Sequence, residues 1–309
     1  MYGSLKETND DFWEISPRIM MQFIGTELFR NNTHKVMPKI GEDIWLKVLE
    51  KKILDNPNSK YVITDIRFEN ELEMIARLDG LKIKVERDNL TNLDTHISES
   101  LIDSLNTEFT IKNNGSREEL IEKIDDLLNN LQYKKINNFY NVDVITKDTL
   151  YVFDIDDTLI TYDNINNDWW RKTYDLYKTP ASKQHDVINL VLVEWEKQLI
   201  NSIPKHSHEE SLGNLIFNML NKNNNFICLT ARKEKYKEIT ENHLKQLGLH
   251  TQVHYTNGDC KGKMLKEIIK DHSNIKNIVF IDDQLKNLYS VHKEMKNCGI
   301  SVDCYHFRQ

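Results

Sequence analysis

The chain has 309 residues, 39% of them apolar and 29% charged, with a formal net charge of −7. This length fits two domains of ordinary size, and the composition excludes a disordered chain. The acidic balance gives no electrostatic support for tight nonspecific binding to long nucleic acid. No apolar run reaches the length of a membrane span, and no basic stretch followed by a hydrophobic core opens the chain. A soluble, intracellular, cytoplasmic protein with no membrane partner is therefore expected.

In chain order, Ser16-Pro17 opens a helix, Ser as N-cap and Pro at the first helical position. Met20, Phe23, Ile24 and Leu28 follow as its apolar stripe. A second helix is predicted from about Gly41 to Leu54, with Ile44, Trp45, Val48 and Leu49 on one face. Tyr61-Val-Ile-Thr-Asp65 reads as a buried strand ending in an acid. A helix ending near Gly80 comes next, and then strands at 81–86 and 108–112. Ser116-x-x-Glu119 is a capping box that starts a helix with Leu120, Ile121, Ile124, Leu127, Leu128 and Leu131 on one face. Strand and helix alternate, which implies a parallel sheet.

These stretches carry a resemblance. Residues 16–30, Thr64-Asp-Ile-Arg-Phe-Glu-Asn-Glu71, His96-Ile-Ser-Glu99 and Asn113-Asn-Gly-Ser116 resemble, in order and spacing, motifs of the phage-type deoxynucleoside monophosphate kinases. That family has a P-loop kinase fold. The resemblance implies nucleotide-contacting roles for Arg18, Asp65, Arg67 and Arg87; surface ion pairs are the ordinary alternative. The family's G-x-x-x-x-G-K-[ST] loop occurs nowhere in the chain, and Gly262-Lys263 is followed by Met264. That loop supplies the backbone cradle and the Lys for the β- and γ-phosphates. Phosphoryl transfer depends on such positioning, so no kinase activity is expected from this chain alone. The remaining strands would flank a gap with exposed edges. Either a partner chain or a second copy covers that incomplete sheet, or the segment is a remnant used for packing.

Residues 133–148 are polar and without period, and read as a linker between a truncated kinase-like domain at 1–132 and a second domain at 149–309. The second domain opens on Leu150-Tyr-Val-Phe-Asp-Ile-Asp-Asp-Thr-Leu-Ile160. A short all-apolar run suits a strand buried on both faces of a parallel sheet. Acids at its carboxyl end lie where open α/β sheets bind ligands. A helical insertion follows at about 162–222, with apolar segments at 187–199 and 212–220. Trp169-Trp170 reads more readily as core anchors than as a pocket wall. His206, His208 and Glu209 read as a solvated loop, with no fourth ligand for a metal. The four cysteines, Cys228, Cys260, Cys298 and Cys304, show no C-x-x-C spacing and are expected as reduced thiols.

Further strands are predicted at 225–230, ending in Thr230, at 251–255, at 277–282, ending in Asp282-Asp283, and at 301–306. Lys261-Gly-Lys263 opens a helix between the second and third of these. Parallel neighbours place all these ends on one rim. Four carboxylates there repel one another unless a hard cation such as Mg²⁺ sits among them. A Thr hydroxyl and a Lys ammonium facing them define an anion site, and the combination describes phosphoryl transfer.

Asp154-x-Asp156-x-Thr158, Thr230, Lys261 and Asp282-Asp283 resemble the four motifs of the haloacid dehalogenase superfamily, with the insertion in the place of its helical cap. The fold expected is α/β throughout: two three-layer parallel-sheet domains, the kinase-like one incomplete, the second Rossmann-like with a cap after its first strand. The resemblance makes Asp154 the nucleophile and Asp156 the acid and base. It makes Thr158, Thr230 and Lys261 phosphate-binding, Lys261 being preferred to Lys263. Mg²⁺ would be held by Asp154, the Asp156 carbonyl, Asp282 and Asp283. A Mg²⁺-dependent phosphatase acting on a nucleotide or other small phosphorylated substrate is expected. The rivals are a polynucleotide end-processing phosphatase and a non-catalytic interaction protein.

Overall fold

The computed structural model describes residues 6–38, 43–78, 80–88, 105, 107–144, 148–179, 184–271 and 274–308. The motif at 96–99 and the expected helix start at Gly41 lie outside them. By internal contacts the chain parts into one unit of 1–82 with 91–106 and another of 83–90 with 107–309. The division therefore falls earlier than the boundary expected after residue 132. No helix among the described residues is long and apolar enough to cross a membrane.

The first unit carries helix α1 (Pro17–Gln22), capped by the Ser16 hydroxyl accepting from the Ile19 N–H at 3.3 Å. It continues as π-helical turns over Phe23–Arg30. Two more helices follow, α2 (Ile44–Leu54) and α3 (Glu69–Arg77). The stripe expected to be buried on α1 faces outward: Met20, Phe23, Ile24 and Leu28 are all exposed, as are Trp45 and Val48 of α2. The core of this unit is Leu46, Met74 and Ile75, with Leu49, Ile63, Ile66 and Leu78 packed against it. The strand expected at 61–65 is not formed. This segment has no hydrogen-bonded neighbour among the described strands, and Val62 is 92% exposed. An apolar β-prone run becomes a strand only when another strand accepts its backbone groups.

In the second unit, β1 (Ile83–Glu86) and β2 (Phe109–Lys112) form a parallel pair. Helix α4 (Arg117–Asn130) follows, its Ser116 cap accepting from the Glu119 N–H at 3.2 Å. These elements share contacts with the large sheet's side of the chain, which is why the division falls before them. Tyr289 lies edge-on to Phe109 at 5.7 Å, and both Tyr289 and Lys293 bond to Asp126 of α4, at 2.7 and 2.5 Å.

The large sheet has six strands, all parallel, in the order β3-β10-β9-β4-β7-β8. They are β3 (Lys134–Ile136), β4 (Thr149–Phe153), β7 (Asn225–Thr230), β8 (Gln252–Tyr255), β9 (Asn277–Asp282) and β10 (Ser301–Phe307). The stretch read as a linker is thus partly sheet, since β3 pairs with 305–307 of β10. It is an edge strand of which only Ile136 is buried, so it carries no hydrophobic period. All five residues of β4 are buried between β9 and β7. After β4 the chain builds outward to β7 and β8, then returns to β9 and β10 on the other side. The reversal leaves a crevice at the carboxyl ends of β4 and β9, the place where open α/β sheets bind ligands.

The insertion after β4 begins with a ribbon of β5 (Ile160–Thr161) against β6 (Lys205–His206). Between these strands lie α5 (Asn167–Tyr177) and α6 (Gln184–Asn201), which pack on each other. Helix α7 (Glu209–Asn221) is not part of the cap as expected. Its Leu212, Leu215 and Met219 lie in the main core with Tyr151 and Phe153, so it serves as the crossover from β4 to β7. The remaining helices are α8 (Lys237–Gln246), α9 (Lys261–Ile268) and α10 (Leu285–Lys296). All four cysteines are free thiols.

Gly262 lets α9 touch α10: a Cβ there would meet the Ser290 carbonyl oxygen at 2.2 Å. The obstacle is backbone and cannot step aside. Gly262→Ala should therefore cost about 1–3 kcal/mol through overpacking, read as a lower urea midpoint at unchanged slope.

Candidate functional site

Strand register assembles the site. Phe153 of β4 lies beside Ile281 of β9 and Cys228 of β7, so the residues that follow emerge together. The Asp154 N–H still donates to the Ile281 carbonyl at 2.9 Å, which holds Asp154 at the strand tip. Asp157 takes a left-handed conformation, φ 56°, and donates its N–H to the Ile160 carbonyl at 2.9 Å. This tight turn is one that an Asp tolerates.

Lys261, at the first position of α9, is buried to 1% exposure. Its ammonium lies 2.5 Å from Asp154 Oδ1 and 2.7 Å from Asp282 Oδ2, and both acids are buried as well. Lys263 is exposed. Asp282 is held further: its Oδ1 accepts from the Gln284 N–H at 2.8 Å, and the Asn287 amide reaches both oxygens at 3.0 and 3.1 Å. Asp283 is different. Its Oδ1 is buried without a hydrogen-bond partner.

Burial dominates the titration of these acids. It pushes Asp154 up to about 7 against the pull of Lys261, with the charges of Asp282 and Asp156 adding to the rise. Burial also raises Asp283 well above the carboxylate range, helped by Asp282 and Asp154. Asp157 is pushed up to about 6 by burial and by Asp156. Lys261 moves upward despite its burial, because Asp154 and Asp282 favour its charged form. One ammonium thus faces more negative charge than it balances.

Asp154, Asp282 and Asp283 each offer an oxygen within 4.8 Å of the others. An orphaned buried carboxylate oxygen in an all-oxygen donor set fits a hard cation such as Mg²⁺. The Asp156 side chain is not in that set. It is turned to a residue outside the expected constellation, Arg232. The guanidinium grips both its oxygens, Nε to Oδ2 at 2.9 Å and Nη2 to Oδ1 at 2.7 Å. Arg232 is buried, and Asp156 holds it above its ordinary value although burial works the other way. Its one sequence signal was an Arg two residues beyond the strand-ending Thr230, whose hydroxyl accepts the Arg232 N–H at 3.1 Å.

The other expected residues divide. Thr230 and Thr158 are fully buried, and Thr158 Oγ1 has no partner among the described atoms. His208 Nδ1 meets the Ser211 hydroxyl at 2.7 Å rather than a metal cluster. In the first unit Arg18 pairs with Glu7 at 2.9 Å, and Arg67 lies 3.9 Å from Asp65. Arg87 is exposed in the other unit. Two of the kinase-like motifs do meet. Arg30 stacks on the Phe68 ring at 3.6 Å and bonds Asn70 at 3.1 Å, with Glu71 at 3.5 Å.

Fold and site together define an α/β protein with a carboxylate-lined centre in its second part. Residues 4–124 match the family described as deoxynucleotide monophosphate kinase, and residues 120–254 and 249–309 match the family described as protein of unknown function (DUF2608). The chain belongs to the second family through its larger part and to the first through its beginning. A putative deoxynucleotide monophosphate kinase of Acanthamoeba polyphaga mimivirus is 35% identical over 141 residues, 42% of this chain and 72% of that protein. The deoxynucleotide monophosphate kinase of Enterobacteria phage T4 is 31% identical over 122 residues, and this chain spans 47% of its length. The deoxynucleoside-5'-monophosphate kinase of Escherichia phage T5 is 43% identical over 67 residues, 24% of that protein. The crystal structure of a hydrolase from Streptococcus pneumoniae TIGR4 superposes with a TM-score of 0.35 at 13% identity, over 53% of this chain and 95% of that one.

Lys261→Met leaves Asp154 and Asp282 buried without their ammonium and should cost about 3–5 kcal/mol of unfolding free energy in chelator, measured by urea titration. A raised carboxylate pKa means that the folded state keeps a proton the unfolded state sheds. Stability from Asp154 is then complete below 3.8 and is lost as pH rises toward about 7. Added Mg²⁺ should therefore raise the unfolding free energy more at pH 8 than at pH 5, the gain at pH 8 being about 2.7 kcal/mol at a hundred times its dissociation constant. Equal shifts at both pH values would count against an acid-bound cation.

Proposed function

We propose that residues 149–309 form a Mg²⁺-dependent phosphomonoester hydrolase. The observation that carries this reading is the Lys261 ammonium bridging Asp154 and Asp282 beside the orphaned Asp283 oxygen. Burying that much like charge at a ligand crevice is costly unless a cation and an anionic substrate use it.

Asp154 supplies the nucleophilic carboxylate. Its oxygen forms a bond to phosphorus as the ester P–O bond breaks, giving an aspartyl-phosphate. Asp156 gives a proton to the departing oxygen, then takes one from the water that attacks the acyl phosphate and frees inorganic phosphate. Lys261 keeps Asp154 in place and offsets charge on the phosphoryl oxygens, with Thr230 bordering the same site. Asp154, Asp282 and Asp283 would hold Mg²⁺, which when bound supplies positive charge against the substrate's phosphoryl group. Helix α6 of the cap inserted between β4 and β7 sets Trp195 over Arg232, 5.6 Å from the guanidinium carbon, and the cap is suited to choosing the substrate.

Deoxynucleotide monophosphates are the favoured substrate class, because the relatives of the first part carry that substrate in their names. This support is by association with the neighbouring segment. Kinase activity is not proposed, since the chain contains no phosphate-binding Walker loop.

Asp154→Asn should lower kcat for p-nitrophenyl phosphate by at least about 10³-fold, with an unchanged circular dichroism spectrum. Lys263→Ala should stay within about twofold of wild type, because its side chain is exposed. Full activity in the Asn variant would overturn the nucleophile assignment. Assays of deoxynucleoside monophosphates beside 3′-phosphorylated oligonucleotides decide the substrate class.

A further inference from the structure

Arg232 is held from more sides than an ion pair needs. Four of its five N–H groups are used: two on Asp156, one from Nη1 on Thr240 Oγ1 at 3.0 Å, and a share of Nη2 on Tyr162 Oη at 2.9 Å. The Trp195 ring of α6 covers a further side, 5.6 Å from the guanidinium carbon. Behind Tyr162 stands His243, whose Nδ1 lies 2.9 Å from the phenol oxygen. All of these except Trp195 and Asp156 are buried.

The donors fix the direction of this chain. A guanidinium only donates, so Tyr162 Oη accepts from Arg232. We assign the phenol's own proton to His243, which takes a bare Nδ1 and a neutral ring. Burial and the nearby guanidinium lower the His243 pKa, with Asp156 opposing, which agrees with that assignment. Burial pushes the Tyr162 phenol up to about 12, so it keeps its proton. Thr240 and His243 stand three residues apart on α8 and so share a helix face, while Tyr162 comes from the turn that leads into the cap.

We infer that Tyr162 and His243 are positioning residues for Asp156 and act through Arg232. Neither touches Asp156. Without the phenol oxygen, one Nη2 hydrogen bond is lost and the guanidinium can turn about Nε. Its two-point grip then no longer defines where the Asp156 carboxylate sits. Placement of that group matters because a small displacement of a catalytic side chain costs rate far more than binding.

The kinetic arm of the test rests on the phosphatase reading; the spectroscopic arm does not. With Mg²⁺ and p-nitrophenyl phosphate, Tyr162→Phe and His243→Leu should each lower kcat about tenfold while KM stays within about twofold. His243→Asn presents an amide oxygen in place of Nδ1 and should recover most of what His243→Leu loses. In the ¹⁵N spectrum of the full chain, the Arg232 Nε–H should exchange with solvent faster in Tyr162→Phe than in wild type. Unchanged exchange overturns the inference, as does a His243→Asn variant as slow as His243→Leu. Faster exchange in a protein that hydrolyses no phosphoester upholds the positioning role and defeats the phosphatase reading instead.

Discussion

The structure of the second unit depends on a charge imbalance placed at the tips of β4 and β9. Parallel pairing brings Asp154 and Asp282 to adjacent strand ends, and α9 brings Lys261 between them. The ammonium bridges these two acids, and an oxygen of Asp283 lies within 4.8 Å of oxygens of both. A fold meant only for stability would fill this crevice with apolar groups, since a buried ion pair seldom outperforms a hydrophobic one. The surrounding architecture tolerates the cost because β4 and β9 are buried along almost their whole lengths. The imbalance therefore rests on the most deeply buried part of the sheet.

That arrangement was legible in the sequence for a physical reason. β4, β7 and β9 are short all-apolar runs ending in Asp or Thr, and such a run in a parallel sheet has little choice but to present its ending at the ligand rim. Lys261 is preferred to Lys263 because it starts a Lys-Gly-x-x-Leu pattern like that of the superfamily it resembles, and the two lie on opposite sides of the burial divide. Arg232 was not legible. Its partner, Asp156, is 76 residues earlier, and no local spacing connects a guanidinium to an acid that the fold delivers from another strand. Tyr162, Thr240 and His243 escaped for the same reason.

Edges and incomplete cores were misread in both directions. Residues 61–65 have the composition of a strand but find no partner among the described residues, whereas Lys134–Ile136 has a polar composition and is a strand because β10 offers an edge. Pairing is a property of the neighbour as much as of the segment. The stripe on α1 fails likewise. Its period is helical and the helix forms, but none of its apolar residues joins the cluster of Leu46, Met74 and Ile75 that is buried among the described residues of that unit. Amphipathic spacing predicts a face to be buried without supplying what buries it.

The two catalytic candidates at 154 and 156 differ by their cations more than by their positions. Asp154 is met by an ammonium, a compact point charge that touches one of its oxygens and also serves Asp282. Asp156 is met by a planar fork that engages both its oxygens and is itself anchored by Thr240 and Tyr162. A point charge constrains distance and leaves the second oxygen of Asp154 available; a fork constrains orientation. Attack on phosphorus needs an available carboxylate oxygen, and proton transfer needs a carboxylate aimed at one place. Two like side chains, two residues apart, are given those separate properties by the elements that return to them, α9 for one and the β7–α8 connection for the other.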